Sequence, residues 1–398
     1  MRPLHLIVAS VTGASFGINA VKYAVPALLA LAGSSASQIG VFAASVSAAW
    51  PVFGLFAGLL LDRSSKLGVL RLGEIIAAAS LLFLVALYAT GALALALLCV
   101  AGFAIGAAEV LVDTSSQSIL PEIVPKGELR SANSLLNGAK TVGVTLLAPV
   151  LVAALVDIEP LSALAVAALI LMAAFAFILR LKGQAAQTSA ALRFSDLTSG
   201  LVFLARTPVF PGLTLVLAVM SVAWGGWFVL IVSYVISGAG LGLNATAYGS
   251  VVTMLGLGSL TGAFAYGFLQ RRLGTRMVLM LDVLGTILFH AVPASGLGFV
   301  PTAAAAYLAG IGGVTWVISV SAYQQAAVPG AMLGRLVASY RWIGWSAFFA
   351  GAVIAGPLAD RMGFSGAFTA FALLNIALLA GFPFVIPKSR ILDEPLAS

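Results

Sequence analysis

Charge is scarce in this sequence. Of 398 residues only 8% are Asp, Glu, Lys or Arg, whereas 61% are hydrophobic; an ordinary soluble domain has about 25% and roughly 45–50%. A water-soluble protein of this size is excluded. Cysteine is nearly absent: the one residue, Cys99, lies inside an apolar run, which excludes an internal disulfide and a thiolate metal site. The alternating segments of about ten residues that build a membrane β-barrel are also missing, since runs such as Leu93 to Ala108 are unbroken. No phosphate-loop spacing, Ser/His/Asp set or metal-ligand cluster is present, and His290 stands alone. An enzyme is unsupported, and neither a cofactor nor a metal is expected. The net charge of +7 does not indicate nucleic acid, because the basic residues gather at the ends of apolar runs, where topology explains them.

Those runs are what the chain has in abundance. Punctuated by polar residues, Gly and Pro, they predict spans near 6–32, 37–61, 69–90, 93–119, 129–156, 161–181, 209–237, 245–270, 276–296, 300–326, 333–359 and 364–386. A spanning helix needs about 20 apolar residues, so twelve fit with short connections. Glycine (42 residues) and proline (16) suit membrane helices that pack closely or bend. The first run follows Arg2 closely and has no small-residue cleavage site, which predicts a retained span. The expected fold is all-α, twelve transmembrane helices in two pseudo-symmetric six-helix bundles. The expected organisation is a first bundle at 1–181, a linker at 182–208, a second bundle at 209–387 and a tail at 388–398. Within the linker, Leu192 to Ala205 is amphipathic enough to lie along a membrane surface. Most Lys and Arg residues fall on one side of these spans and only Arg361 on the other, which predicts that both termini and the linker are cytoplasmic.

The halves repeat. Gly58-Leu-Leu-Leu-Asp62-Arg63 closes span two and Gly267-Phe-Leu-Gln-Arg271-Arg272 closes span eight. At nearly the same offset Glu74 matches Asp282, and Pro125, Arg130 and Ala132-Asn-Ser134 match Pro329, Arg335 and Val337-Ala-Ser339. A duplicated six-helix unit of this kind places a binding site near the midplane. Over essentially its whole length the chain resembles the major facilitator superfamily. Its most specific match is the segment between spans two and three, Gly58, Asp62-Arg63 and Lys66, with Arg71 beyond. The stretch Glu109-Val-Leu-Val-Asp113-Thr-Ser-Ser-Gln117 through Leu120-Pro121-Glu-Ile-Val-Pro125 is similar to a bacterial branch of drug and siderophore exporters that also includes some lipid carriers. The antiporter pattern of span five survives in part, as Gly138, Gly143 and Ala148-Pro149, with Val152-Ala153 in place of a glycine pair.

Charges deep inside a span are costly and mark function by default. Glu109 and Asp113 are one helical turn apart on span four, and Lys140 on span five should lie at similar depth. Proton coupling is assigned to Glu109, Asp113 and Lys140; a static pair holding spans four and five together is the structural alternative. Substrate binding is assigned to Lys22, Asn19 and Tyr23 on span one, Trp224 and Trp227 on span seven, Tyr323 and Gln324 on span ten, and Arg341 and Trp345 on span eleven. For Lys22 the alternative is a lysine that snorkels to the outer interface; for the aromatics it is packing. Lys22, Lys140 and Arg341 outnumber the deep carboxylates, which favours an anionic or zwitterionic substrate. The resemblance implies that Gly58, Asp62, Arg63 and Lys66 form a cytoplasmic gate. Glu74 and Asp282 are expected to pair with basic residues near span ends.

The expected function is secondary active transport by alternating access, with export of an amphipathic organic molecule driven by protons. Its expected partners are a small organic substrate, protons and membrane lipids, with no nucleic acid, and it should work as a monomer in a bacterial inner membrane. Uptake or lipid translocation is the alternative within transport. A non-transporting sensor or assembly factor is the alternative of another class.

Overall fold

The computed structural model describes residues 3–125, 128–181 and 194–386. Every regular element among them is helical: α1 (Pro3–Leu31), α2 (Ala36–Ser47), α3 (Ala49–Arg63), α4 (Lys66–Ala89), α5 (Leu95–Ile123), α6 (Leu129–Lys140), a π-helical stretch (Thr141–Leu147), α7 (Ala148–Ile158), α8 (Pro160–Leu179), α9 (Phe194–Arg206), α10 (Phe210–Ile236), α11 (Ala245–Ala294), α12 (Phe299–Ala327) and α13 (Gly330–Val385). Among the described residues, 10 helical stretches are long and apolar enough to cross a membrane. Two are too long for one crossing. At 1.5 Å per residue, the 50 residues of α11 and the 56 of α13 each measure more than twice the hydrocarbon thickness of about 30 Å. Each folds back at a glycine, Gly274 (φ 75°, ψ 160°) and Gly363 (φ 70°, ψ 173°), in a conformation that a side chain with a Cβ disfavours. Each long helix is therefore two spans, and the chain is the expected twelve-helix fold.

The chain forms two compact units. The first comprises residues 1–34, 41–192 and 243–249, and the second 35–40, 193–242 and 250–398. In unit 1, α1 packs on α8 and α4 on α5, with Ile7, Val11, Ile18 and Val21 of α1 wholly or almost wholly buried. Unit 1 also holds the first turn of α11. Asp157, at the end of α7, accepts hydrogen bonds from the backbone N–H of Ala245 (2.9 Å) and of Thr246 (2.7 Å), and from the Thr246 hydroxyl (2.6 Å). A carboxylate from a separate element thus satisfies donors that no turn of the helix can reach, and it complements the positive end of the helix dipole.

Span five is interrupted. Pro149 has no N–H to offer the carbonyl of Thr145, and its ring crowds that carbonyl; the turn before it widens into the π-helical stretch 141–147. This widened stretch begins immediately after Lys140, on the segment where the antiporter pattern is incomplete, and π-bulges often accompany functional sites.

In unit 2, α10 lies against α13 at backbone distance. A Cβ on Gly225 would stand 2.1 Å from the carbonyl oxygen of Phe348, and one on Gly351 would stand 1.9 Å from that of Val222. A hydrophobic core of this unit includes Phe210, Val216, Leu279, Val283, Trp316, Val320, Leu336 and Phe382. The amphipathic segment predicted in the linker is α9, although residues 182–193 lie outside those described. Part of it packs on protein: Leu204 enters this core, and Gly200 approaches the carbonyl of Arg335 on α13. The contact with α13 accounts for only part of the apolar stripe, since Val202 stays 47% exposed. The proposed tail, 388–398, lies outside the described residues.

Candidate substrate and proton-coupling site

Helix α5 carries two of the interior carboxylates of unit 1. Its interior glutamate and aspartate are separated by one turn, about 6 Å along the axis, and each meets a lysine from a different span. Lys22 Nζ on α1 is 2.9 Å from Glu109 Oε1, and Lys140 Nζ at the end of α6 is 2.7 Å from Asp113 Oδ1. Side-chain exposures are 28% and 20% in the first pair and 21% and 18% in the second, so each pair is largely but not wholly covered by protein. Gln117, one further turn along, places Nε2 3.4 Å from Asp113 Oδ2.

The pairing differs from the sequence expectation in one respect. Lys140 meets Asp113, one of the two partners considered for it, while Glu109 is taken by Lys22. Lys22 therefore does not snorkel outward, and its ammonium is held by a carboxylate on α5. The four charges of these two pairs sum to zero, so the excess of deep cations counted in the sequence rests on Arg341 alone. Tyr23, next to Lys22, is buried and within electrostatic reach of Glu109. Asn19 is buried and donates to the carbonyl of Ser15 (2.9 Å) on its own helix.

The candidates of unit 2 divide into packed and half-exposed groups. Trp227 is completely buried, stacked on Phe289 at 3.8 Å between centroids and edge-on to Phe228. Tyr323 packs against Phe210 at 5.4 Å within the core. In this structure the rings of both are engaged in packing. Trp224 is only partly buried and donates from Nε1 to Thr286 Oγ1 (3.1 Å). Gln324 is buried, and its Nε2 has no hydrogen-bond partner among the described residues. Arg341 and Trp345 are half-buried on α13, Trp345 tilted against Phe348 at 5.4 Å.

Of the residues expected to form a gate, Gly58, Asp62 and Arg63 are described in their backbone alone, as the last turns of α3. Lys66 begins α4 and pairs with Glu122 at the end of α5 (2.6 Å). Glu122 is a partner the sequence reading missed, as is Gln117, which stands four residues from Asp113 and could have been found from helical spacing alone. Glu74 and Asp282 depart from expectation more sharply. Glu74 is fully buried and accepts a 2.5 Å hydrogen bond from Ser10 of α1, and Asp282 is 4% exposed; Glu74 Oε2 and Asp282 Oδ1 have no hydrogen-bond partner among the described residues. Neither is in an ion pair among the described residues, because helix packing turns both inward, away from the basic end.

The sequence profile of the Major Facilitator Superfamily matches residues 7–343. The chain belongs to that superfamily. As a superfamily member it is an integral membrane transporter and not an enzyme. No match is found among curated proteins. Solved superfamily-like structures resemble it over nearly their full length. The nucleoside transporter NupG is 16% identical with a TM-score of 0.74, covering 98% of this chain and 100% of its own. A bacterial homologue of the iron transporter ferroportin, in an inward-facing state, is 18% identical with a TM-score of 0.73, covering 98% and 100%. A POT family transporter in complex with 5-aminolevulinic acid is 13% identical with a TM-score of 0.75, covering 96% of each. These likenesses establish the fold of the superfamily member and leave the exporter branch unconfirmed.

Proposed function

We propose that this superfamily member is a proton-coupled secondary transporter of a small amphipathic organic solute, working by alternating access as a monomer in a bacterial inner membrane with both termini cytoplasmic. The observation that supports this is the double ion pair on α5. A carboxylate that takes up a proton no longer holds its lysine. Proton uptake at Asp113 frees Lys140 at the edge of the π-helical stretch, and uptake at Glu109 frees Lys22 on α1. A solute that interacts with the freed lysine binds one protonation state better than the other, which is the differential affinity that coupling requires. Trp224, Gln324, Arg341 and Trp345 are the unit 2 residues proposed to contact solute. Asp62, Arg63 and Lys66, with Gly58 allowing close helix approach, are proposed as a gate, and the Lys66–Glu122 pair as one of its contacts.

Export is the proposed direction, on the resemblance of the Glu109 to Pro125 stretch to the drug and siderophore exporters. Uptake is the second reading, favoured by Val152-Ala153 standing where the antiporter pattern has its glycine pair. The deciding experiment is a solute screen in proteoliposomes with an imposed pH gradient, read as solute flux and proton flux together. The expected result is saturable, gradient-driven flux that Asp113→Asn or Glu109→Gln reduces at least tenfold or uncouples from protons. Undiminished coupling in both variants would overturn the assignment.

A further inference from the structure

At the end of unit 1 that carries Lys66, Arg71 and Arg180, four elements leave a cavity of about 480 Å³. It is bounded by the first turns of α1 and α4, the last turn of α5 and the residues that close α8. Apolar side chains, Leu6, Leu67 and Ile123 among them, share its lining with the charged Lys66, Glu122 and Arg180. The three charges differ in how they are engaged. Lys66 and Glu122 hold each other at 2.6 Å, yet about a third of each side chain stays exposed (31% and 30%). Arg180 is exposed, its guanidinium 5.8 Å from the Phe177 ring centroid, and no carboxylate pairs with it among the described residues. Arg71 secures this corner from behind, its Nη2 donating to the carbonyls of Ile178 (3.2 Å) and Leu181 (2.5 Å). The cavity therefore combines a net positive charge with apolar side chains, and it sits where helices with membrane-spanning runs end.

A free polar anion would satisfy the cations and leave the apolar wall wet. An apolar molecule would do the reverse. The ligand that suits both is a phosphate carried on an acyl-glycerol, since a guanidinium fits phosphate oxygens bidentately and basic pockets at helix ends bind acidic lipid headgroups. We propose that this cavity binds the phosphodiester headgroup of an acidic membrane phospholipid, with the phosphate on Arg180 and Lys66 and the upper acyl segment on Leu6, Leu67 and Ile123. The phosphate competes with Glu122 for Lys66, so lipid occupancy loosens the contact between the start of α4 and the end of α5. This site is independent of the proton-coupling pairs on α5.

The test uses the full chain purified in mild detergent. Native mass spectrometry reads retention of phosphatidylglycerol against phosphatidylcholine, and thermal unfolding is followed with each lipid added. The wild type is expected to retain phosphatidylglycerol several-fold better and to be stabilised by it. Arg180→Gln should lower that preference about tenfold, the loss of one charge-assisted pair, with Arg180→Lys retaining part of it. Glu122→Gln should raise it several-fold by releasing Lys66. These changes run in opposite directions, so a general loss of folding cannot mimic them. Equal retention of the two lipids by the wild type, or no change on Arg180→Gln, would overturn the proposal. Displacement of the lipid by millimolar inorganic phosphate would overturn it in favour of a free-anion site.

Discussion

Glu109 and Asp113 show how much one side-chain contact decides. Read along α5 they are two carboxylates on one face; in the folded unit each has a lysine from a different span within 2.9 Å and 2.7 Å. Removing a lysine leaves a partly desolvated carboxylate without its partner, which costs more than the pair itself contributes. Lys22→Ala is expected to destabilise the protein by about 1–3 kcal/mol, and the double variant Lys22→Ala/Glu109→Gln to recover part of that loss. Thermal unfolding of the four proteins in a double-mutant cycle measures the coupling; strictly additive losses would show that the pair is not coupled. Gln117 and Tyr23 surround the same charges, and neither role follows from residue type alone.

At the level of elements, glycine acts in two unrelated ways. Gly274 and Gly363 turn the chain back where φ is positive, and Gly225 and Gly351 let α10 and α13 touch backbone to backbone. Gly351→Ala places a methyl group 1.9 Å from the carbonyl oxygen of Val222, and the rigid backbone on that side cannot yield as a side-chain end would. A loss of about 1–3 kcal/mol is expected from the overpacking. Gly138→Ala is the matched control: it is on α6 with nothing within 4 Å of the added Cβ, and it should gain up to about 1 kcal/mol from helix propensity. Unfolding midpoints of the two variants should therefore move in opposite directions. The π-helical stretch of span five belongs to this scale as well. Pro149 and Gly143 are visible in the sequence, but whether a proline kinks a helix or widens one turn depends on how neighbouring helices hold it.

For the whole molecule, the arrangement of basic residues predicts an orientation that can be read by labelling. With Cys99→Ser removing the one native thiol, a cysteine at Leu243 should react with a membrane-impermeant maleimide on intact cells. One at Glu128 should react only after permeabilisation, and the reverse pattern would invert the topology. The twelve spans, the repeat and the family were legible in the sequence, because apolar runs, turn residues and basic ends are local quantities that a bilayer sorts directly. The site was legible only as a set of candidates. Trp227 and Tyr323 were in that set although their rings are covered, and Glu122 was outside it although it holds Lys66. Glu74 and Asp282 were assigned to the basic rim although both are buried. Scarcity of charge by itself determined that this is a polytopic helical membrane protein and limited which residues could carry its chemistry. Only the tertiary structure decided which lysine meets which carboxylate and which aromatic faces remain uncovered, because those depend on the rotation of each helix about its axis. The pattern along one chain segment does not specify that rotation until its neighbours are in place.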